Sequence, residues 1–150
     1  MGKGLQEING PAFWDSSSLV PLCVSLPSTP SVEALSKRYT IVVWWAARLE
    51  LQGVFARLVK MRQLSPDGLA QAELVLDKLR RSWREVDPRS DLWDRAEPLV
   101  ARFELTTADA FQLAAALTWC LGNPRGRAFI SGHGRLLEAA RAIGFDGIEG

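Results

Sequence analysis

The sequence has little cysteine, a single histidine and almost no net charge. Its two cysteines, Cys23 and Cys120, stand in separate apolar stretches and form no Cys-x-x-Cys pair, which argues against a zinc site or a redox motif. We expect both thiols to be buried and reduced. The net charge of +1 gives no general sign of nucleic-acid binding, so such binding would have to come from a local patch.

Long apolar runs are also missing. No run approaches the ~18 residues of a membrane span, and the opening segment MGKGLQEING is polar, without the apolar core of a signal peptide. These absences predict a cytoplasmic protein with no membrane segment. The sequence also contains no GxxxxGK[ST], GxGxxG or GxSxG motif, which removes the common nucleotide-binding loops and the serine-hydrolase elbow.

The sequence does contain an alternation of strand and helix signals. Its 150 residues, of which 47% are hydrophobic and 23% charged, suit one globular domain. We predict a flexible N-terminal segment, 1–10, followed by a single domain, 11–150. Strand signals occur at roughly 11–15 and in TIVVWW, WREV and RAFISG, with amphipathic helices between them. The resulting order, βα, βαα, βαα, βα, predicts an α/β fold with a mainly parallel sheet of about four or five strands, and it places Trp44 and Trp45 in a buried strand.

Three carboxylates occupy positions where a site can form. Asp15 ends the first predicted strand, Glu50 lies in the first turns of the helix after TIVVWW, and Asp109 begins the helix TTADAFQLAAAL. Because sites in parallel sheets form beyond the carboxyl ends of the strands, we expect Asp15 and Glu50 to reach the same edge. Clustered carboxylates repel each other, and Mg²⁺, which takes a few carboxylates and several waters, would neutralise them.

Each carboxylate also has a purely structural interpretation. Asp15 could cap the following helix, and Glu50 could face solvent. Asp109 fits a capping box, Thr106-x-x-Asp109, that needs no function. The residues alone leave both interpretations open for each position.

Four segments in this order resemble the PIN-domain family, and within it the VapC-type toxin ribonucleases of type II toxin–antitoxin systems. The segments are FWDSSSLV, IVVWWAARLELQGVFARL, LTTADAFQLAAAL and AFISGHGRLLEAARAIGF, and the resemblance covers roughly 11–145. It implies a three-layer α/β/α fold and cleavage of RNA with Mg²⁺ or Mn²⁺. The catalytic and metal-binding residues it implies are Asp15, Glu50 and Asp109. It also implies a homodimer and a cognate antitoxin as a protein partner.

The chain departs from the family pattern at His133, where the family usually has an aspartate two residues after Ser131. The histidine could act as a metal ligand with a changed metal preference, weaken the enzyme, or be a harmless substitution. A degenerate PIN domain that binds RNA or protein without turnover is therefore the main alternative. A phosphatase-like α/β domain is disfavoured, because its second aspartate would fall on Ser17.

Other polar residues are candidates for supporting roles. We expect Ser16, Ser17 and Ser131 to support the site residues as hydrogen-bond donors or as helix caps. Surface arginines are common in any protein, but a nuclease would contact phosphates through such residues. The candidates for RNA binding are Arg48, Arg57, Arg125, Arg127 and Arg135. The six tryptophans are better explained by core packing or a partner interface than by base stacking.

Overall fold

A computed structural model describes residues 8–150, so residues 1–7 of the predicted N-terminal segment lie outside the described residues. Gly10, the last residue of that segment, already belongs to the first strand. The strands are β1 (Gly10–Trp14), β2 (Tyr39–Trp44), β3 (Arg84–Val86), β4 (Ala128–Ser131) and β5 (Asp146–Glu149). A 3-10 turn (Ser16–Leu19) follows β1, and the helices are α1 (Val20–Cys23), α2 (Thr29–Arg38), α3 (Ala47–Lys60), α4 (Pro66–Arg80), α5 (Ser90–Phe103), α6 (Thr107–Trp119) and α7 (Gly134–Ile143).

The five strands form one sheet in the order β3-β2-β1-β4-β5. Every neighbouring pair is parallel, which confirms the predicted α/β class and the mainly parallel sheet. The chain moves outward from β1 through β2 to β3 and then returns to place β4 on the other side of β1. The strand order therefore reverses between β1 and β4, and ligands of open α/β sheets bind in the crevice at such a reversal.

Helices cover both faces of the sheet, so the fold is a three-layer α/β/α sandwich. Side chains of a strand alternate between the two faces, and those of β1 do so clearly. Phe13 packs with α5, α6 and α7 in one apolar core. Ala12 and Trp14 pack with α1, α2, α3 and α4 in the other. Among residues 8–150, no helix combines the length and the apolar character that crossing a membrane requires.

Several predicted element ends are confirmed. The Ser65 side chain accepts a hydrogen bond from the Gly68 N–H and caps α4, with Pro66 at its first position. Gly144 ends α7 at φ 114°, a left-handed conformation that glycine adopts without strain.

Cys23 is half-buried and Cys120 is buried, and both are free thiols.

Two expectations from the sequence need correction. The predicted element order stopped at the last helix, whereas β5 follows it and completes the sheet. This strand was missed because Asp146, Gly147 and Glu149 give it a polar, glycine-containing sequence, which is typical of an edge strand. Trp45 is not in the core, since β2 ends at Trp44 and the Trp45 side chain is 54% exposed.

Candidate functional site

The four residues singled out from the sequence meet in one cavity. Asp15, Glu50, Asp109 and His133 all line a space of about 630 Å³. Asp15 directly follows β1 and His133 follows β4, so the cavity lies where the strand order reverses. Glu50 comes from the first turn of α3 and Asp109 from the first turn of α6. The chain thus brings separate segments to one edge of the sheet.

Asp15 is 4% exposed, and its two carboxylate oxygens have different surroundings. Oδ2 accepts hydrogen bonds from the Ser17 hydroxyl at 2.7 Å and the Ser131 hydroxyl at 2.9 Å. Within residues 8–150, Oδ1 accepts a hydrogen bond only from the backbone N–H of Ser17, at 3.4 Å. The carboxylate does cap the 3-10 turn, as its structural interpretation predicted, but this long contact leaves most of the hydrogen-bonding capacity of Oδ1 free.

Glu50 is held even more asymmetrically. The indole N–H of Trp44 donates to its Oε1 at 2.9 Å, and the side-chain amide of Gln112 donates to the same oxygen at 3.1 Å. The Ser16 hydroxyl also approaches Oε1, at 3.4 Å. Among the described residues, none donates to Oε2. Three neighbours therefore fix the orientation of the carboxylate and leave its second oxygen for a ligand.

Burial disfavours the charged form of both carboxyls. It raises the pKa of Asp15, against the lowering effect of Ser17 and Ser131, and the negative charge of Asp109 raises the pKa further. It also raises the pKa of Glu50, against the Trp44 hydrogen bond, and the charge of Asp15 adds to the increase. A cation near both groups would relieve the repulsion and recover the lost solvation of the carboxylates.

Asp109 and His133 form a pair that lines the same cavity. The Nδ1 atom of His133 lies 2.8 Å from Oδ2 of Asp109, and the imidazole is half-exposed. The backbone N–H of His133 donates to Ser131 Oγ at 2.9 Å, and this hydroxyl in turn binds Asp15. Thr106 accepts a hydrogen bond from the Asp109 N–H at 3.2 Å, which is half of the predicted capping box. The Asp109 carboxylate itself pairs with His133.

The donor set fits a hard divalent cation that keeps much of its water. No three histidine, cysteine, aspartate or glutamate side chains of the described chain lie close enough together to enclose a metal ion by themselves. Mg²⁺ does not require such a cage, because it is commonly bound by one or two carboxylates together with water and substrate phosphates. Oδ1 of Asp15, which has one long contact, and Oε2 of Glu50 are donors of this kind.

The supporting residues are placed unequally. Ser17 and Ser131 hold Asp15, whereas Ser16 contacts Glu50 and accepts a 2.6 Å hydrogen bond from Gln112. Of the five arginines considered for RNA binding, only Arg57 lines the cavity. The other four lie outside it: Arg48 and Arg125 are exposed, Arg127 covers the ring of Trp119, and Arg135 donates to the Glu104 carbonyl.

Trp44 and Gln112 were not recognised from the sequence as site residues. Gln112 is 1% exposed in an otherwise apolar helix, and its Oε1 has no partner among the described residues. An unsatisfied buried acceptor costs about 1–3 kcal/mol, and the Gln112 amide is oriented by the hydrogen bonds that it donates to Ser16 and Glu50. The sequence signal that could have indicated Gln112 as a site residue is a polar glutamine within the alanine-rich run of α6.

Protein-family models give no match to this chain, and a search of curated proteins finds no significant match either.

Proposed function

We propose that the protein is a metal-dependent endoribonuclease that hydrolyses phosphodiester bonds of RNA with Mg²⁺ or Mn²⁺. One observation carries this proposal: the buried carboxylate of Asp15 and the half-buried carboxylate of Glu50 are each held mainly through one oxygen, and both residues line a cavity that Asp109 also lines. The resemblance to PIN-domain toxin ribonucleases, which rests on four segments in order, supplies the substrate class.

The residues of the site would have different roles in this reaction. Asp15 and Glu50 would hold the ion, which supplies charge neutralisation at the phosphodiester and an acidified water. Ser17 and Ser131 keep Asp15 in place, while Trp44 and Gln112 keep Glu50 in place, so the donors need no rearrangement when the substrate binds. Asp109 extends the acidic surface of the cavity and orients the imidazole of His133.

RNA cleavage tests the proposal. The purified chain should cut a mixed-sequence, fluorescently labelled RNA in the presence of Mg²⁺ or Mn²⁺, and EDTA should stop the reaction. Asp15→Asn and Asp109→Asn should each abolish cleavage, whereas Asp94→Asn, a change of an exposed aspartate on α5 outside the cavity, should leave the rate unchanged. Cleavage that survives both cavity substitutions would rule the proposal out.

A second candidate function is a degenerate domain that binds RNA or protein without cutting it. The pair between Asp109 and His133 favours it, because the histidine occupies one oxygen of a carboxylate and removes the negative charge usual at its own position. Under this alternative, the wild-type chain does not cut RNA, and His133→Asp creates cleavage. A wild-type chain that already cuts RNA in a metal-dependent manner would exclude it.

The biological role that we propose is that of the toxin component of a cytoplasmic type II toxin–antitoxin system, acting as a homodimer. Its support is the resemblance to the toxin ribonucleases. Expression of the chain should arrest growth of a bacterial host, and co-expression of a short neighbouring reading frame should restore growth. The Asp15→Asn variant should be harmless in both settings, and growth arrest by this variant would contradict the role.

A further inference from the structure

We propose that α3 carries a phosphate subsite at Arg57, which binds the phosphate next to the cleaved bond in single-stranded RNA. This inference rests on the proposed function and adds to it a specific position for the substrate strand. It concerns one end of the cavity that the acidic residues do not occupy.

The cavity has charge of opposite sign at two places along the same helix. Glu50, Gly53, Val54 and Arg57 all line it, and their spacing of three, four and seven residues puts them on one face of α3. Seven residues correspond to about 10 Å along a helix axis. The cavity therefore has carboxylates at one end and a guanidinium about two helical turns away.

The guanidinium of Arg57 is available for an anion. Its side chain is exposed, and within residues 8–150 it makes no ion pair and no hydrogen bond. The helix offers it no acidic neighbour, because the positions three and four residues away hold Gly53, Val54, Lys60 and Met61. A phosphate would supply the charged, bidentate partner that an arginine of this kind lacks.

Gly53 keeps the space between the two ends open. A Cβ atom built on Gly53 meets nothing within 4 Å, so the protein does not require glycine there for packing. Glycine inside a helix costs about 1 kcal/mol relative to alanine. The absence of a side chain at Gly53 therefore leaves open space on the cavity side of α3.

A single nucleic-acid strand suits this arrangement. It carries one negative charge on each nucleotide, so a strand whose reacting phosphate lies at the acidic end, bridged by a cation, presents its next phosphates along α3. A space of about 630 Å³ is the size of a small-ligand pocket, which accommodates a few groups of one strand.

Binding of a five-nucleotide RNA, measured by fluorescence anisotropy, tests the subsite. Ca²⁺ would replace Mg²⁺, and gel analysis would confirm that the RNA stays intact. Arg57→Ala should weaken binding about tenfold, as expected for the loss of a charged hydrogen-bonding partner. It should also reduce the slope of log affinity against log salt by about 0.7. Arg48→Ala, with the same change of charge on the same helix but outside the cavity, should weaken binding much less.

The phosphate itself can be located by chemical substitution. Neutral methylphosphonate linkages would replace the phosphates of the same RNA one at a time. One replacement should weaken binding to the wild-type chain as strongly as Arg57→Ala does, and it should have no further effect on the Arg57→Ala variant. Additive losses at every position would mean that Arg57 contacts no particular phosphate, which would overturn the inference.

A larger side chain at position 53 provides an independent test of the open path along α3. Gly53→Met should fold with a melting temperature at least that of the wild type, and it should weaken RNA binding because its side chain occupies the path along α3. Ala56→Met, at an exposed position of α3 outside the cavity, should leave binding unchanged. Equal binding by both methionine variants would contradict the open path.

The outcomes separate the two proposals. A chain that cuts RNA but responds equally to Arg57→Ala and Arg48→Ala keeps its proposed function and loses the subsite. A wild-type chain that binds RNA through Arg57 without cutting it keeps the subsite and loses the nuclease. A wild-type chain that neither binds nor cuts RNA overturns both.

Discussion

At the scale of single residues, the site depends on which carboxylate oxygens the protein uses for itself. Oδ2 of Asp15 and Oε1 of Glu50 each accept short hydrogen bonds from two neighbours, and the remaining oxygen of each group has a long contact or none among the described residues. A fully solvated carboxylate would rotate freely. These two are oriented before any ligand arrives, which lowers the entropy lost when a ligand binds.

Trp44→Phe tests the orientation of Glu50. Phenylalanine keeps an aromatic ring against Phe111, with which the indole is stacked at 5.5 Å, but removes the N–H that binds Oε1. We expect the affinity for Mn²⁺ to fall about tenfold, as for other residues that orient a metal ligand. The matched control is Trp83→Phe, which removes an N–H bound to Glu85 outside the cavity. Calorimetric titration should show a normal affinity for this control, and equal losses in both variants would contradict the role of Trp44.

The pH dependence of stability tests the burial of Asp15. Because burial raises the pKa of the folded carboxyl, the folded chain binds protons more tightly than the unfolded chain between the ordinary and the raised pKa. The stability that this group contributes is complete below its ordinary pKa and is lost as the pH rises through the raised pKa. In EDTA, the free energy of unfolding should therefore fall with rising pH across this window.

Asp15→Asn should flatten that dependence and stabilise the metal-free chain by about 1–2 kcal/mol at neutral pH, because a buried charge is removed. Urea unfolding at a series of pH values measures both effects, and Asp94→Asn is the control that should behave like the wild type. A variant less stable than the wild type at neutral pH would show that the negative charge of Asp15 is not costly.

The sequence identified the acidic residues and the serines that contact them, but it did not identify Trp44 and Gln112, the other partners of Glu50. Asp15, Glu50 and Asp109 could be predicted because each follows a strand end or begins a helix, positions that topology brings to one edge of a parallel sheet. Trp44 and Gln112 could not be identified in this way. Whether a strand tryptophan directs its N–H at a carboxylate depends on side-chain rotamers and on a contact with α6, and Gln112 is 62 residues from Glu50.

At the scale of elements, the ends of helices and strands place the chemistry. The N-terminus of α6 carries Asp109, and Thr106 fixes that end through a hydrogen bond from the Asp109 N–H. The loop between β4 and α7 carries His133 and is tied to Asp15 through Ser131. These two connections bring Asp109 and His133 to the cavity that Asp15 lines.

Thr106→Ala tests the link between a helix cap and the site. Loss of the cap should lower the free energy of unfolding by about 1 kcal/mol, and RNA cleavage should fall as well because Asp109 lies in the released turn. Ser65→Ala removes the equivalent cap from α4, which begins away from the cavity. It should cost a similar amount of stability, measured by chemical denaturation, with no loss of cleavage. Equal cleavage by Thr106→Ala and Ser65→Ala would show that the cap of α6 does not affect the site.

Strong element signals were predictable, and of the two polar edge strands only β3, predicted within WREV, was identified from the sequence. The apolar strands β1, β2 and β4 are buried on both faces, so their composition identified them. The polar strand β5 is an edge strand held by backbone pairing with β4, and nothing in its composition requires a strand. The exposure of Trp45 could not be predicted either, because one residue at the end of a strand decides whether it enters the core or the following turn.

At the scale of the whole molecule, the sheet separates two apolar cores and the site lies at its edge. Asp15, Glu50, Asp109 and His133 belong to neither core, so substitutions of these residues should affect binding far more than folding. A cation that binds only the folded chain should raise its stability by about 1.4 kcal/mol at ten times the dissociation constant. Thermal unfolding with and without Mn²⁺ should show this increase for the wild type and not for Asp15→Asn, and equal shifts in both would place the ion elsewhere.

The proposed nuclease depends on a divalent cation that binds Oδ1 of Asp15 and Oε2 of Glu50, the oxygens that the protein holds least. Isothermal titration calorimetry with Mn²⁺ tests it most directly, using the wild type, Asp15→Asn, Glu50→Gln and the control Asp94→Asn. Binding should be saturable for the wild type and the control, and it should be lost in both cavity variants. Absence of binding to the wild type, or unchanged binding to Asp15→Asn, would contradict it.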